Sequence, residues 1–94
     1  MNKYEYSTVD VVLADPDTGA RNSLEMILRN QGFRNIKVGE SIADIRRHLK
    51  QTPPDLLITG ADLSDGSVCP TIHAVRHHEI GNNPFVLVIA TTAN

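Results

Sequence analysis

Pro54-Asp55-Leu56-Leu57-Ile58-Thr59-Gly60-Ala61-Asp62-Leu63-Ser64-Asp65-Gly66 is the stretch whose reading decides the fold. The apolar run Leu56 to Thr59 is bounded upstream by Pro53-Pro54 and downstream by turn-forming Ser, Asp and Gly. That is the pattern of a buried strand opening into a loop. In open α/β sheets function sits just beyond the carboxyl ends of the strands, so Gly60, the residue at that end, carries more weight than any other.

Upstream, Val9 to Ala14 holds Val11, Val12 and Leu13 in succession and predicts a strand buried on both faces, as in a parallel sheet. Asp15-Pro16-Asp17-Thr18-Gly19 stops it, and Asp17 or Thr18 can cap a helix in which Ala20, Leu24, Ile27, Leu28 and Gln31 recur at helical spacing before Gly32. Phe33 to Val38 predicts a second, shorter strand. Ser41 is the N-cap for a helix with Ile42, Ile45 and Leu49 on one face and Arg46, Arg47, His48 and Lys50 mainly on its outer, solvated side. Residues 1–8 are a polar leader, flexible or lightly docked.

Downstream, Val68, Ile72 and Val75 stand at i, i+4 and i+7 in a third helix, which Gly81-Asn82-Asn83-Pro84 breaks. Phe85 to Thr91 is a near-continuous apolar strand. The order β-α-β-α-β-α-β implies one α/β domain over residues 1–94, a doubly wound parallel sheet with right-handed crossovers and helices on both faces. A final strand with no helix after it leaves an apolar edge at Val86 to Ala90. The expectation is a homodimer that covers this edge, or further chain that does so.

Composition narrows the partners. The chain has 94 residues, is 40% hydrophobic and 21% charged, and carries a net charge of −2 with a pI near 6.0. Such a balance gives no electrostatic reason to bind nucleic acid or anionic lipid. With two Tyr, two Phe and no Trp, base stacking is disfavoured too. One cysteine, Cys69, precludes an internal disulfide framework, the polar N-terminus is unlike a signal peptide, and no apolar run approaches the ~20 residues that span a bilayer. These features point to the cytoplasm.

Several segments, in order, resemble the first three-quarters of a response-regulator receiver domain, the flavodoxin-like module of two-component signalling. They are Val11-Val12-Leu13-Ala14-Asp15 with Arg21, Gln31-Gly32-Phe33, Pro54-Asp55-Leu56-Leu57-Ile58, Asp65-Gly66, and Val88-Ile89-Ala90-Thr91-Thr92-Ala93. The resemblance implies a phosphoacceptor aspartate at the end of the third strand. It also implies an acidic pair after the first strand for a magnesium ion, a switch Thr or Ser after the fourth, and a Lys after a fifth strand that this sequence does not include. Phosphoryl transfer to a carboxylate needs that nucleophile and cations to offset charge on the phosphoryl oxygens.

Carried across position by position, the pattern breaks at its chemical points. Asp15 matches the first acidic position, but Pro16 holds the second and Asp17 follows one step later. Magnesium tolerates misplaced oxygens poorly, which leaves a weak site at Asp15 and Asp17 or, as the favoured reading, Asp17 as a helix cap. Counting from Pro54-Asp55 and back from Leu63-Ser64-Asp65-Gly66 puts the acceptor at Gly60, which has no carboxylate. Asp62 is the alternative acceptor only if the matched loop slides by two residues; otherwise it is a loop carboxylate bonded to nearby backbone. Ser64 and Val68 stand where the family has Pro and Gly, and Thr92, with Thr91 as the competing register, matches the switch position.

Two other chemistries compete. Val12-Leu13-Ala14-Asp15-Pro16-Asp17-Thr18 also resembles the opening motif of haloacid-dehalogenase-type phosphatases, with Asp15 as nucleophile and Asp17 as acid/base, but the later Lys and acidic pair of that family have no counterpart. Cys69, His73 and His77 stand at i+4 spacing, which can place zinc ligands on one helical face. The favoured reading there is a helix end that suits positive side chains, with Cys69 packed beside Val68. The expectation is a pseudo-receiver without enzymatic activity, acting through protein partners and without a cofactor.

Overall fold

The computed structural model describes residues 6–77, 79 and 86–91. Strand β1 (Asp10–Ala14) is followed by helix α1 (Thr18–Asn30), β2 (Asn35–Gly39), α2 (Ile42–Gln51), β3 (Leu56–Gly60), the two-residue strands β4 (Asp62–Leu63) and β5 (Gly66–Ser67), α3 (Cys69–Arg76) and β6 (Leu87–Thr91). The main sheet is parallel throughout in the order β2-β1-β3-β6. This is the flavodoxin-like doubly wound arrangement, with its order reversing between β1 and β3. The Pro54–Gly66 stretch therefore supplies a central strand.

The expected alternation gains one element. Between β3 and α3 the chain does not run as an open loop but folds into a miniature antiparallel hairpin, pairing Asp62 with Ser67 and Leu63 with Gly66. Ser64-Asp65 makes the turn and Gly66 follows it with φ of 133°, a backbone region hostile to side chains. Two-residue strands fall below any periodicity that a sequence displays.

Helix ends follow local chemistry. Asp17 Oδ1 accepts from the Gly19 and Ala20 amides at 3.0 and 3.5 Å, so Asp17 rather than Thr18 caps α1. At the other end Gly32 has φ of 107°, while Gly32 N donates to Arg29 O and Phe33 N to Leu28 O, closing a Schellman motif. Ser41 caps α2 by accepting from Asp44 N, and Asp44 Oδ2 in turn accepts from Glu40 N. Val68 precedes α3 with no side-chain cap, and Pro70 sits in its first turn. The helix ends at Arg76, and the breaker Gly81–Pro84 lies outside the described residues.

Strand alternation divides the core. Val12, Ala14 and Leu57 face α2 and α3, meeting Ile45, Leu49, Leu63, Val68, Ala74 and Val75. Val11, Leu13 and Ile58 face the other way, toward Leu24 and Leu28 of α1 and toward Phe33. The leader's last residues are docked: Tyr6 stacks on Phe33 with ring centroids 4.6 Å apart, and Asn35 Nδ2 donates to Ser7 O. Asp55 aligns the sheet at its amino end, since its amide donates to Asp10 O, its Oδ2 accepts from Asp10 N and its carbonyl accepts from Leu87 N.

Candidate functional site

Parallel strands of similar length end together, so the carboxyl ends of β1, β3 and β6 bring Asp15, Gly60 and Thr91 to one rim of the sheet. Gly60 is the last residue of β3 and is paired in register with Thr91, while Ala14 pairs with Thr59. Thr59 is buried, and its hydroxyl donates to the Gly60 carbonyl at 2.9 Å. Of the two positions expected as a switch, Thr92 lies outside the described residues and only Thr91 is reached.

Gly60 is not required by its backbone. Its φ is outside the left-handed region, unlike those of Gly32 and Gly66, and a Cβ built on it would stand 3.6 Å from Asp62 O, 3.8 Å from Leu63 Cδ2 and 3.9 Å from Asp15 Oδ2. These are ordinary van der Waals distances. A Cβ fits there, close to the Asp15 carboxylate. Steric demand does not explain the glycine.

The three carboxylates expected near this rim are not grouped. Asp15 Oδ1 accepts from Asp17 N at 2.8 Å in a tight turn, and its Oδ2 is the carboxylate oxygen that stands beside Gly60. Asp17 is exposed and directs Oδ1 to the start of α1. Asp62 is exposed in β4, and the part of it nearest Gly60 is its backbone carbonyl. Magnesium takes about six oxygens in near-octahedral array. One carboxylate beside Pro16 and a glycine is not a donor set that fits it, and no group of three or more His, Cys, Asp or Glu among the described residues could hold a metal.

The framework around the rim is intact. Arg21 Nη1 donates to the Asp15 carbonyl at 2.8 Å and lies 3.9 Å from Glu40 Oε2, joining α1 to the ends of β1 and β2. Asp65, at the tip of the hairpin, accepts the amides of Ile42 at 2.6 Å and Ala43 at 3.1 Å, and Ser64 Oγ donates to Glu40 O. The hairpin after β3 thus supplies the start of α2 with acceptors that a helix's first turn otherwise lacks. Those amides, the Ile42 bond above all, hold the Asp65 carboxyl below the usual carboxylate range, and the Glu40 amide does the same for Asp44. Asp65 was legible only as half of an Asp-Gly turn. Its role as a second cap crosses 22 to 23 residues, beyond any local pattern.

Other expectations change on inspection. His48 is not on the solvated face of α2: it is half-buried, with Nε2 3.3 Å from Val38 O and Nδ1 buried without a partner. Its place three residues after Ile45 turns it toward β2. Arg46, Arg47 and Lys50 are exposed, with Arg47 near Asp44 at 3.4 Å. Cys69 is exposed instead of packing beside Val68, which joins the buried core without it. A concavity of about 260 Å³ lies at the opposite rim, lined by residues including Asp10, Arg34, Lys37 and Pro54, remote from Gly60 in chain and sheet position.

No protein-family model and no curated protein sequence matches the chain at a significant level. Among solved structures the chain is similar to one described as the MaeR response regulator bound to beryllium trifluoride, with a TM-score of 0.81 over 93% of this chain and 69% of that one. Identity over the match is 23%, so the likeness establishes the fold. No helix among the described residues is long and apolar enough to cross a membrane.

Proposed function

We propose that the chain is a pseudo-receiver, a receiver-type signalling module that acts by contact with other proteins and accepts no phosphoryl group at the usual place. The observation that carries this reading is Gly60. It ends the central strand beside Asp15 and Thr91, within a rim whose turns and caps are complete, and it offers space but no nucleophile. The fold shared with a response regulator supports the receiver assignment, and the dispersal of Asp15, Asp17 and Asp62 supports the loss of phosphoryl chemistry. On this reading the module is neither a phosphatase nor a kinase, needs no cofactor and works in the cytoplasm.

Mass spectrometry after incubation with acetyl phosphate and Mg²⁺ tests it. The protein should gain no phosphoryl mass, and a stoichiometric gain on Asp15 or Asp62 would end the proposal. A Gly60→Asp, Pro16→Asp double variant restores both a nucleophile and an adjacent carboxylate and should become labile to acetyl phosphate. Gly60→Asp alone should not, because the metal position beside Asp15 stays empty of its second ligand.

The partner surface on this reading is the outer edge of β6. It is an end strand among the described residues, and Leu87 to Thr91 includes no charged residue and no proline, the usual guards of an open edge. A second copy paired antiparallel about Ile89 would meet it without like-charge repulsion. A stable monomer by light scattering at micromolar concentration would rule that pairing out.

A further inference from the structure

We propose that His73 and His77 form a surface chelate for a divalent ion of the zinc, nickel or copper class. The two stand four residues apart, His73 within α3 and His77 at its C-cap, and their ring centroids lie 4.1 Å apart with a tilt of 37°. Both are exposed. The two rings lie side by side at the surface, near enough that rotation about their side-chain bonds can bring a nitrogen of each to one ion. Imidazole nitrogen suits this class of ion, and spacing of four on one helical face is the spacing with which helical histidine pairs grasp it.

The backbone holds the pair. His77 N donates to His73 O at 3.1 Å, closing the turn that separates the ligands, and Glu79 N returns to Ala74 O at 2.8 Å, bracing the chain just beyond. On the inner side Thr71, Ala74 and Val75 are buried, which fixes the rotation of α3 and keeps the histidine stripe outward. Among the described residues no third side chain completes a metal-holding group. The remaining positions fall to water, so the ion exchanges readily and affinity is micromolar, well short of a closed structural site. Nothing in this depends on the receiver reading.

Titration calorimetry of the intact chain with zinc chloride, in the presence of excess Mg²⁺, tests the chelate. One ion should bind at micromolar concentration and raise the melting temperature. His73→Ala and His77→Ala should each weaken binding by about tenfold or more, as expected when a ligand is lost. Both variants change exposed side chains and so keep the fold, while His48→Ala should leave zinc affinity unchanged. Zinc bound equally well by the His73→Ala, His77→Ala double variant would overturn the proposal, as would affinity lost in Cys69→Ser and retained without the pair.

Discussion

On one face of the sheet α2 and α3 bury Ile45, Leu49, Thr71, Ala74 and Val75 over Val12, Ala14 and Leu57, whereas on the other α1 contributes no buried residue. There Val11, Leu13 and Ile58 are buried beneath Leu24 and Leu28, which are themselves only partly buried, and Leu87 and Ile89 of β6 remain 60% and 45% exposed. Both faces are made from the same strands, so the difference lies in how many helices each receives. Burial sets the stability of the described fold chiefly on the α2–α3 side. The α1 side has apolar area to offer a partner.

The largest effect should come from opening the closed face. Ile45→Ala removes a side chain with no exposed surface and should cost about 2–5 kcal/mol by urea denaturation, the range for truncating a packed aliphatic core residue. A smaller cost would mean that α2 is less firmly seated than its burial indicates. Next is the hairpin's hold on α2. Because amide bonds depress the Asp65 and Asp44 carboxyls, their stabilisation is complete above the unfolded-state values near 4 and is lost as pH falls through the depressed folded-state values. Melting temperature should therefore fall in acid below about pH 4, modestly because both carboxylates face solvent, and Asp65→Asn should lower it at neutral pH while flattening the acid limb. An unchanged acid limb in that variant would detach the hairpin from α2.

The smallest effect belongs to the open face. Leu87→Ala should alter stability by about 0.5 kcal/mol or less, as for exposed sites generally. Should it cost as much as Ile45→Ala, the two faces are equally covered in solution and the contrast between them disappears. Concentration dependence of that cost would trace the cover to a second copy.

The comparison also marks how far the residues alone disclose the molecule. Asp17, Ser41 and Gly32 act on amides within a few positions, and their roles at helix ends could be read from type and place. Strands β1, β3 and β6 follow from apolar runs, whereas β2 holds only Ile36 and Val38 as apolar residues and runs Asn35–Gly39 instead of the expected Phe33 to Val38. Asp65 reaching Ile42, and Ser64 reaching Glu40, depend on how two loops meet at the sheet's rim, which no short window displays. His48 departs from the solvated face for a nearer reason: its position three residues after Ile45 places it beside the buried stripe. Gly60 was identified by counting, but only the structure shows that its backbone would accept another residue.

The carboxylate of Asp65 has one more consequence. First-turn amides of a helix ordinarily exchange their hydrogens with solvent almost freely, having no carbonyl a turn behind them. Those of Ile42 and Ala43 are instead closed by a residue that belongs to the hairpin beyond Gly60. Their exchange rates are thus set by a neighbouring segment and not by their own helix. Two backbone protons at the head of α2 register, from a distance along the chain, whether the strand end at Gly60 and its hairpin are in place.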